Sequence, residues 1–129
     1  MAKAKILLVD DSALIRAGVK RLFHIHPSFE VVGEAEHGRE ALEKAPSLRP
    51  DLIVLDLSMP VMNGLQAAPL RIQLLPNVWI ILLTVHEFPE VHRLLREAGI
   101  HAVVPKDKAS THLIPQAESL VFPASRTAS

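Results

Sequence analysis

Four short apolar runs, each followed directly by a polar or charged residue, constrain this chain more than any other feature. The runs cover residues 6–9, 52–55, 78–83 and 102–105. They are continuously apolar rather than alternating, which is typical of strands in a parallel sheet that is covered on both faces. The residues that follow the runs are Asp10 with Asp11, Asp56, Thr84 and Lys106. Because the carboxyl ends of parallel strands meet at one edge of a sheet, the sequence predicts that these side chains converge there.

Such a set of three carboxylates, one hydroxyl and one ammonium suits the chemistry of phosphate and divalent cations. Mg²⁺ takes oxygen ligands and is usually held by one or two carboxylates together with phosphate oxygens and water. Asp11 and Asp56 can supply direct ligands, and Asp10 can supply a contact through water. Crowded carboxylates repel one another unless a cation lies among them. The residues therefore predict an acidic Mg²⁺ site with an aspartate that can be phosphorylated.

Each of these residues also has a plainer explanation. An Asp-Asp pair at a strand end can serve as a helix cap, and Asp56 can be a turn former. Thr84 suits a strand because it is β-branched, and Lys106 can be a solvated loop lysine. We favour a site because the residues occur together, each at the end of one of four apolar strands.

The segments between the apolar runs carry the period of amphipathic helices. A helix is expected after residue 12, capped by Asp11 or Ser12. Its expected inward residues are Leu14, Ala17, Gly18, Leu22 and Ile25, and its expected outward residues are Arg16, Lys20 and His24. A second strand is expected at 29–32, a helix at 39–48 and another helix at 91–98 that ends before Gly99. The repeated strand–helix order predicts a doubly wound α/β sheet with helices on both faces.

Two prolines interrupt otherwise regular helical stripes. Pro69 falls within the stripe of residues 65–75, and Pro115 falls within the stripe of residues 113–120. A proline past the first helical turn removes a backbone hydrogen bond and costs roughly 3 kcal/mol or more. We therefore expect a shortened or bent third helix and a weak fifth helix. One domain is expected over residues 1–122, followed by a flexible tail over residues 123–129.

The composition excludes several classes of function. Lys+Arg and Asp+Glu both number 14, so no net charge draws the chain toward nucleic acid or anionic lipid. There is no cysteine, which excludes disulfides and thiolate metal sites. No apolar run approaches the roughly 20 residues that span a bilayer, and the N-terminus lacks a signal-peptide pattern. We expect a cytoplasmic protein that binds neither nucleic acid nor membrane through this chain.

Taken in order, the motifs resemble a response-regulator receiver domain of two-component signalling, over residues 5–121. The motifs lie at residues 6–12, at residues 56–60 with Gly64 behind them, at residues 83–86 and at residues 105–107. Pro27 with residues 31–35 and 38–42 further resembles the NarL/FixJ-type subgroup, whose members usually carry a C-terminal helix-turn-helix. The resemblance implies a CheY-like, flavodoxin-like sheet of five parallel strands in the order 2-1-3-4-5.

The resemblance also implies a role for each residue of the predicted site. Asp56 would accept a phosphoryl group from a phosphohistidine on a sensor histidine kinase or phosphotransfer protein. Asp11, Asp56 and the backbone carbonyl of Ser58 would hold Mg²⁺ or Mn²⁺, with Asp10 contacting the ion through water. Lys106 and the Thr84 hydroxyl would bind phosphate oxygens. The chain would then be a signalling switch rather than an enzyme: it would catalyse its own phosphorylation and slow dephosphorylation, and it could dimerise when phosphorylated.

One departure from the family lies three residues before Lys106. The family commonly has an aromatic residue there that moves with the threonine, whereas this chain has Val103. Two other functions stay open at this point. The first is a small Mg²⁺-dependent phosphohydrolase or phosphotransferase that uses Asp10 or Asp56 as its nucleophile. The second is a receiver-like module that binds partners without phosphorylation, in keeping with Val103 and the helix prolines.

Overall fold

The sheet has the strand order that the resemblance implies. The computed structural model describes residues 3–56, 78–84, 93 and 99–123, with only the backbone described at Asp56. Within these residues, five parallel strands form one sheet in the order β2-β1-β3-β4-β5. The strands are β1 (Ala4–Asp10), β2 (Phe29–Ala35), β3 (Leu52–Asp56), β4 (Trp79–Thr84) and β5 (Ala102–Pro105). The predicted fold class is therefore confirmed.

Helices cover both faces of this sheet. In the described part of the chain they are α1 (Ala13–His24), α2 (Gly38–Leu48) and α3 (Ala109–Val121), with a 3₁₀ turn at Lys106–Lys108. Leu7 and Val9 of β1 pack in a core cluster with the α2 alanines 41 and 45, whereas Ile6 and Leu8 belong to the cluster that contains α1 and α3 residues. Because successive strand residues point to opposite faces and both faces are buried, the strands must be continuously apolar. No helix among the described residues is long and apolar enough to cross a membrane.

The inward face of α1 differs from the predicted one. Val19 and Phe23 are buried and Ile15 and Leu22 are half-buried, whereas Leu14 is 83% exposed. The predicted stripe was therefore wrong at four positions, since the other exposed members are Ala17, Gly18 and Ile25. The size of the side chains explains which face of α1 is buried. Phe23 makes an edge-to-face contact with Phe29, with ring centroids 5.2 Å apart, and an alanine–glycine face could not bury a comparable area.

Strand β2 runs three residues beyond the predicted range of 29–32. The added segment contains Gly33 and Glu34, which do not continue an apolar run, and its pairing with β1 shifts register between Ile6 and Leu7. A strand at the edge of a sheet tolerates this composition because one side lacks a neighbouring strand. The extension matters for the site, since it places Glu34 opposite Leu8 of β1.

The second half of the chain is described in part. α3 runs through Pro115 without interruption, and its buried residues Leu113, Ile114 and Ala117 lie on both sides of the proline. Phe122, which follows α3, contacts Phe29 with ring centroids 5.8 Å apart. The predicted helix with Pro69 lies outside the described residues, as does the 91–98 helix apart from Arg93, which is helical and exposed. Of the predicted tail, only Pro123 is described.

Candidate functional site

The sheet register brings the predicted strand ends to one edge. Asp10 pairs with Asp56 across β1 and β3. Asp56 pairs with Leu83, directly before Thr84, and Thr84 pairs with Pro105, directly before Lys106. Neighbouring strands lie about 4.8 Å apart, so the ends from β1 to β5 span roughly 14 Å. Backbone placement therefore groups the predicted residues at the carboxyl edge, although Ser58 and the side chain of Asp56 lie outside the described part.

The two consecutive aspartates have different environments. Asp10 is only 2% exposed, and its Oδ1 accepts a hydrogen bond from the backbone N–H of Ser12 at 2.9 Å. Asp11 is exposed at the edge. The helix cap is provided by Ser12, whose hydroxyl oxygen accepts from the N–H of Ile15 at 3.3 Å. Capping therefore does not account for Asp11, which leaves its carboxylate available to a ligand.

Thr84 and Lys106 frame the other side of the edge. Thr84 is 1% exposed at the last position of β4, so its hydroxyl is enclosed rather than solvated. Lys106 is half-buried and begins the 3₁₀ turn that follows β5. Thr84 ends β4 and Lys106 follows β5, on one side of β3, whereas Asp10 ends β1 on the other side of β3 and Asp11 follows it. The donor types thus divide into acidic groups on one flank of Asp56 and a hydroxyl with an ammonium on the other.

Arg16 is a further residue at this edge, and the sequence analysis missed its role. It was expected on the outward face of α1, yet its side chain is only 13% exposed. Its Nη1 donates a hydrogen bond to the backbone carbonyl of Asp10, and its Nε donates to Glu34 Oε1 at 2.9 Å. Its position four residues after the Ser12 cap was the available signal, because residues four apart share one face of a helix.

Glu34 is the partner that holds Arg16 in place. The hydrogen bond from Arg16 is the main cause that keeps the pKa of the Glu34 carboxyl below its ordinary value, with partial burial opposing it and Lys20 assisting. Lys20 Nζ lies 3.5 Å from Glu34 Oε2. On the other side, Lys44 of α2 donates to the Glu34 backbone carbonyl at 2.7 Å. The acidic strand end is thus connected to α1, β2 and α2 by charged groups.

The donor set at the edge suits a hard divalent cation. Asp10 and Asp11 offer only oxygen, and the backbone of Asp56 lies directly opposite Asp10. Across the described residues, no three His, Asp or Glu side chains form a metal-binding group, and the predicted set includes the carboxylate of Asp56, which the structure does not describe. The chemistry of the donors fits Mg²⁺ better than it fits zinc, which prefers nitrogen and sulfur ligands.

Two large apolar side chains are exposed at the two ends of α1, and the one at its start, Leu14, adjoins the acidic edge. Leu14, three residues after Asp11, is 83% exposed, and Ile25 just past the end of the helix is 75% exposed. An open groove beside Ile25 is lined by Ala17, Lys20, Arg21, His24 and Ile25.

Comparison with known proteins identifies the family. Residues 6–118 match the model of the response regulator receiver domain, so the chain belongs to this family. It is 40% identical over 109 residues to a protein-glutamate methylesterase/protein-glutamine glutaminase of Carboxydothermus hydrogenoformans, covering 83% of this chain and 32% of that protein. It is 34% identical over 122 residues to the response regulator GacA of Pseudomonas syringae, covering 95% of this chain and 56% of that protein.

A solved structure agrees with both the fold and the subgroup. The signal receiver domain of the putative response regulator NarL from Mycobacterium tuberculosis superposes with a TM-score of 0.78 at 31% identity, covering 91% of this chain and 94% of that one. The chain spans about a third of the first curated relative named above and just over half of the second. It is therefore a response-regulator receiver domain, with relatives of the NarL type among its matches.

Proposed function

We propose that this receiver domain is switched by phosphorylation of Asp56. The observation that carries the proposal is the register that groups Asp10, Asp56, Thr84 and Lys106 at one sheet edge, beside the exposed Asp11. In this role a carboxylate oxygen of Asp56 attacks the phosphorus of a phosphohistidine on a sensor histidine kinase or phosphotransfer protein. The bond from nitrogen to phosphorus breaks, the imidazole leaves, and an aspartyl phosphate forms. Each molecule accepts one phosphoryl group and holds it, so the chain acts as a switch and not as an enzyme that releases product repeatedly.

Three oxygen donors of the chain would hold the Mg²⁺ that this reaction needs. They are the carboxylates of Asp11 and Asp56 and the backbone carbonyl of Ser58, and the buried Asp10 would contact the ion through water. The chemistry that bound Mg²⁺ supplies is neutralisation of charge on the phosphoryl oxygens. Mn²⁺ can replace it, because it accepts the same oxygen ligands.

Thr84 and Lys106 recognise the phosphorylated state. The Lys106 ammonium pairs with one phosphate oxygen as a point charge. The Thr84 hydroxyl turns to donate to another phosphate oxygen. A new dianion with several acceptor oxygens can bias loops between two arrangements, so these contacts begin the switch. The altered surface then changes contacts with protein partners, which include a second copy of the chain.

Mass spectrometry with acetyl phosphate and Mg²⁺ tests the acceptor. We expect one phosphoryl group per molecule on Asp56, none in Asp56→Asn, and normal labelling in the matched control Asp51→Asn. Asp51 suits this purpose because it is exposed at the opposite end of β3, where its Oδ2 accepts from the N–H of Lys5 at 2.8 Å. Phosphate mapped to Asp10 would exchange the roles of the two aspartates. Rapid turnover of many acetyl phosphate molecules per chain, with little phosphate retained on Asp56, would favour a phosphohydrolase.

The exposed Leu14 at the start of α1 supplies an apolar contact for the donor protein. Because Leu14 lies beside the acidic edge, a donor that brings its phosphohistidine to Asp56 can bury the Leu14 side chain. Leu14→Ala should slow transfer from a phosphorylated histidine phosphotransfer domain that labels the unmodified protein, and should leave labelling by acetyl phosphate unchanged. Gln116→Ala, which also truncates an exposed side chain without adding charge, is the control on α3. Equal slowing with both donors would show that Leu14 acts on the chemistry and not on docking.

A further inference from the structure

We propose that Arg16 is a positioning residue for the Mg²⁺ and phosphoryl site, acting through the Asp10–Asp11 peptide. The proposal rests on the function proposed above for Asp10, Asp11 and Asp56. Arg16 touches neither a phosphoryl group nor a metal ion in this role. Its side chain sets where the Asp11 carboxylate stands by holding the carbonyl group that directly precedes Asp11.

The Arg16 side chain contacts the acidic turn directly before Asp11, where its guanidinium Nη1 donates to the carbonyl oxygen of Asp10. Two further bonds close the turn and do not depend on this side chain. The backbone N–H of residue 16 donates to the carbonyl oxygen of Ser12 at 3.1 Å, as in any first helical turn, and Ser12 donates its N–H to Asp10 Oδ1 at 2.9 Å. Asp11 therefore projects from a turn that the Arg16 guanidinium joins to Glu34.

The guanidinium is itself held by a second element. Glu34 Oε1 accepts from Arg16 Nε at 2.9 Å, and Lys44 of α2 donates to the Glu34 carbonyl at 2.7 Å. An arginine suits this place because its planar group donates in two directions at once, to Glu34 and to Asp10. A lysine at the same position has one nitrogen and cannot span both acceptors with the same geometry. The arrangement resembles the outer contacts that orient the ligands of metal sites, whose loss typically costs about 10–100-fold in metal affinity.

A plain helix-to-strand ion pair is the competing explanation, and it predicts a different result. An ion pair that only stabilises the fold would lower stability when removed but would leave the Mg²⁺ affinity of the folded protein unchanged. A positioning residue lowers that affinity in protein that is still folded. The measurement must therefore follow metal binding directly and in parallel with stability.

Calorimetric Mg²⁺ titration of the full chain separates the positioning role from the plain ion pair. Arg21→Ala is the matched control, because Arg21 is exposed on the same helix. We expect Arg16→Ala to weaken Mg²⁺ binding by about tenfold and Arg21→Ala to leave it unchanged. Arg16→Lys, which keeps the charge and most of the side-chain volume, should fold if the alanine variant does not, and should also bind Mg²⁺ more weakly than the unmodified protein.

A kinetic measurement adds an independent readout. With acetyl phosphate, Arg16→Ala should need a higher Mg²⁺ concentration for half-maximal labelling of Asp56, whereas the labelling rate at saturating Mg²⁺ should stay near that of the unmodified protein. Mg²⁺ affinity in the Arg16 variants equal to that of Arg21→Ala would overturn this inference and leave the proposed function standing. An unmodified protein that neither binds Mg²⁺ nor labels at Asp56 would overturn both.

Discussion

The inward face of α1 can be tested by comparing two substitutions on the same helix, Phe23→Leu and Leu14→Ala. Phe23 is fully buried and its ring meets the edge of Phe29 at a centroid distance of 5.2 Å. Leu14 is 83% exposed. The comparison has a functional consequence, because the outward face is the surface available to a phosphoryl donor.

The expected magnitudes follow from burial. A hydrophobic exchange in the core typically costs less than about 1.5 kcal/mol, and loss of an aromatic pair adds about 0.5–1.5 kcal/mol. Phe23→Leu should therefore lower the free energy of unfolding by about 1–3 kcal/mol. Full burial of a leucine is worth roughly 1.5–3 kcal/mol, and Leu14 has only a small part of that to lose. Leu14→Ala should cost less than about 0.5 kcal/mol.

Urea denaturation followed by far-ultraviolet circular dichroism measures both values. The fluorescence of Trp79, the single tryptophan of the chain, provides a second probe of the same transition. Coincident curves from the two probes would justify two-state analysis. A loss of 2 kcal/mol or so in Leu14→Ala, with little change in Phe23→Leu, would refute the observed packing and restore the stripe predicted from the sequence.

Three further predictions concern other parts of the domain. Because the pKa of Glu34 is lowered in the folded protein, its stabilising contribution is present at neutral pH and is lost as the pH falls below about 4.5. Glu34→Gln should therefore make the free energy of unfolding less sensitive to acid in urea titrations at several pH values. An unchanged pH profile would contradict the ion pair of Glu34 with Arg16 as the cause. Arg49 ends α2 in the left-handed backbone region with φ 49°, which glycine adopts without strain. Arg49→Gly should therefore raise the free energy of unfolding by about 0.5–1 kcal/mol. A loss of stability would mean that the Arg49 side chain makes contacts worth more than the backbone strain. Because Val103 lacks an aromatic ring, beryllofluoride should leave the amide chemical shifts of Ala109–Val121 nearly unchanged, and large shifts across that helix would show that the signal travels by another route.

The strands and the residues at their ends could be predicted from the sequence because their signal is local. A strand buried on both faces must be continuously apolar, so the runs ending before Asp10 and Asp56 are visible without any tertiary information. The rule that parallel strands present their carboxyl ends at one edge then places Thr84 and Lys106 near the aspartates. Strand β2 was predicted too short because only a local apolar signal can be seen in the sequence, and an edge strand can end in residues that carry no such signal.

Only the tertiary structure decided what Arg16 does. The buried face of α1 is different, because Ile15, Val19, Leu22 and Phe23 follow the i, i+4, i+7, i+8 spacing of an amphipathic helix, and the predicted stripe included only Leu22 of these four. What the fold adds is the partner of that face, since the sheet places Phe29 against Phe23. The role of Arg16 depends in the same way on Glu34, 18 residues further along the chain and brought beside Arg16 by the pairing of β1 with β2. A local pattern records which residues can be buried, whereas the partners that bury or bind them are brought together only by the fold.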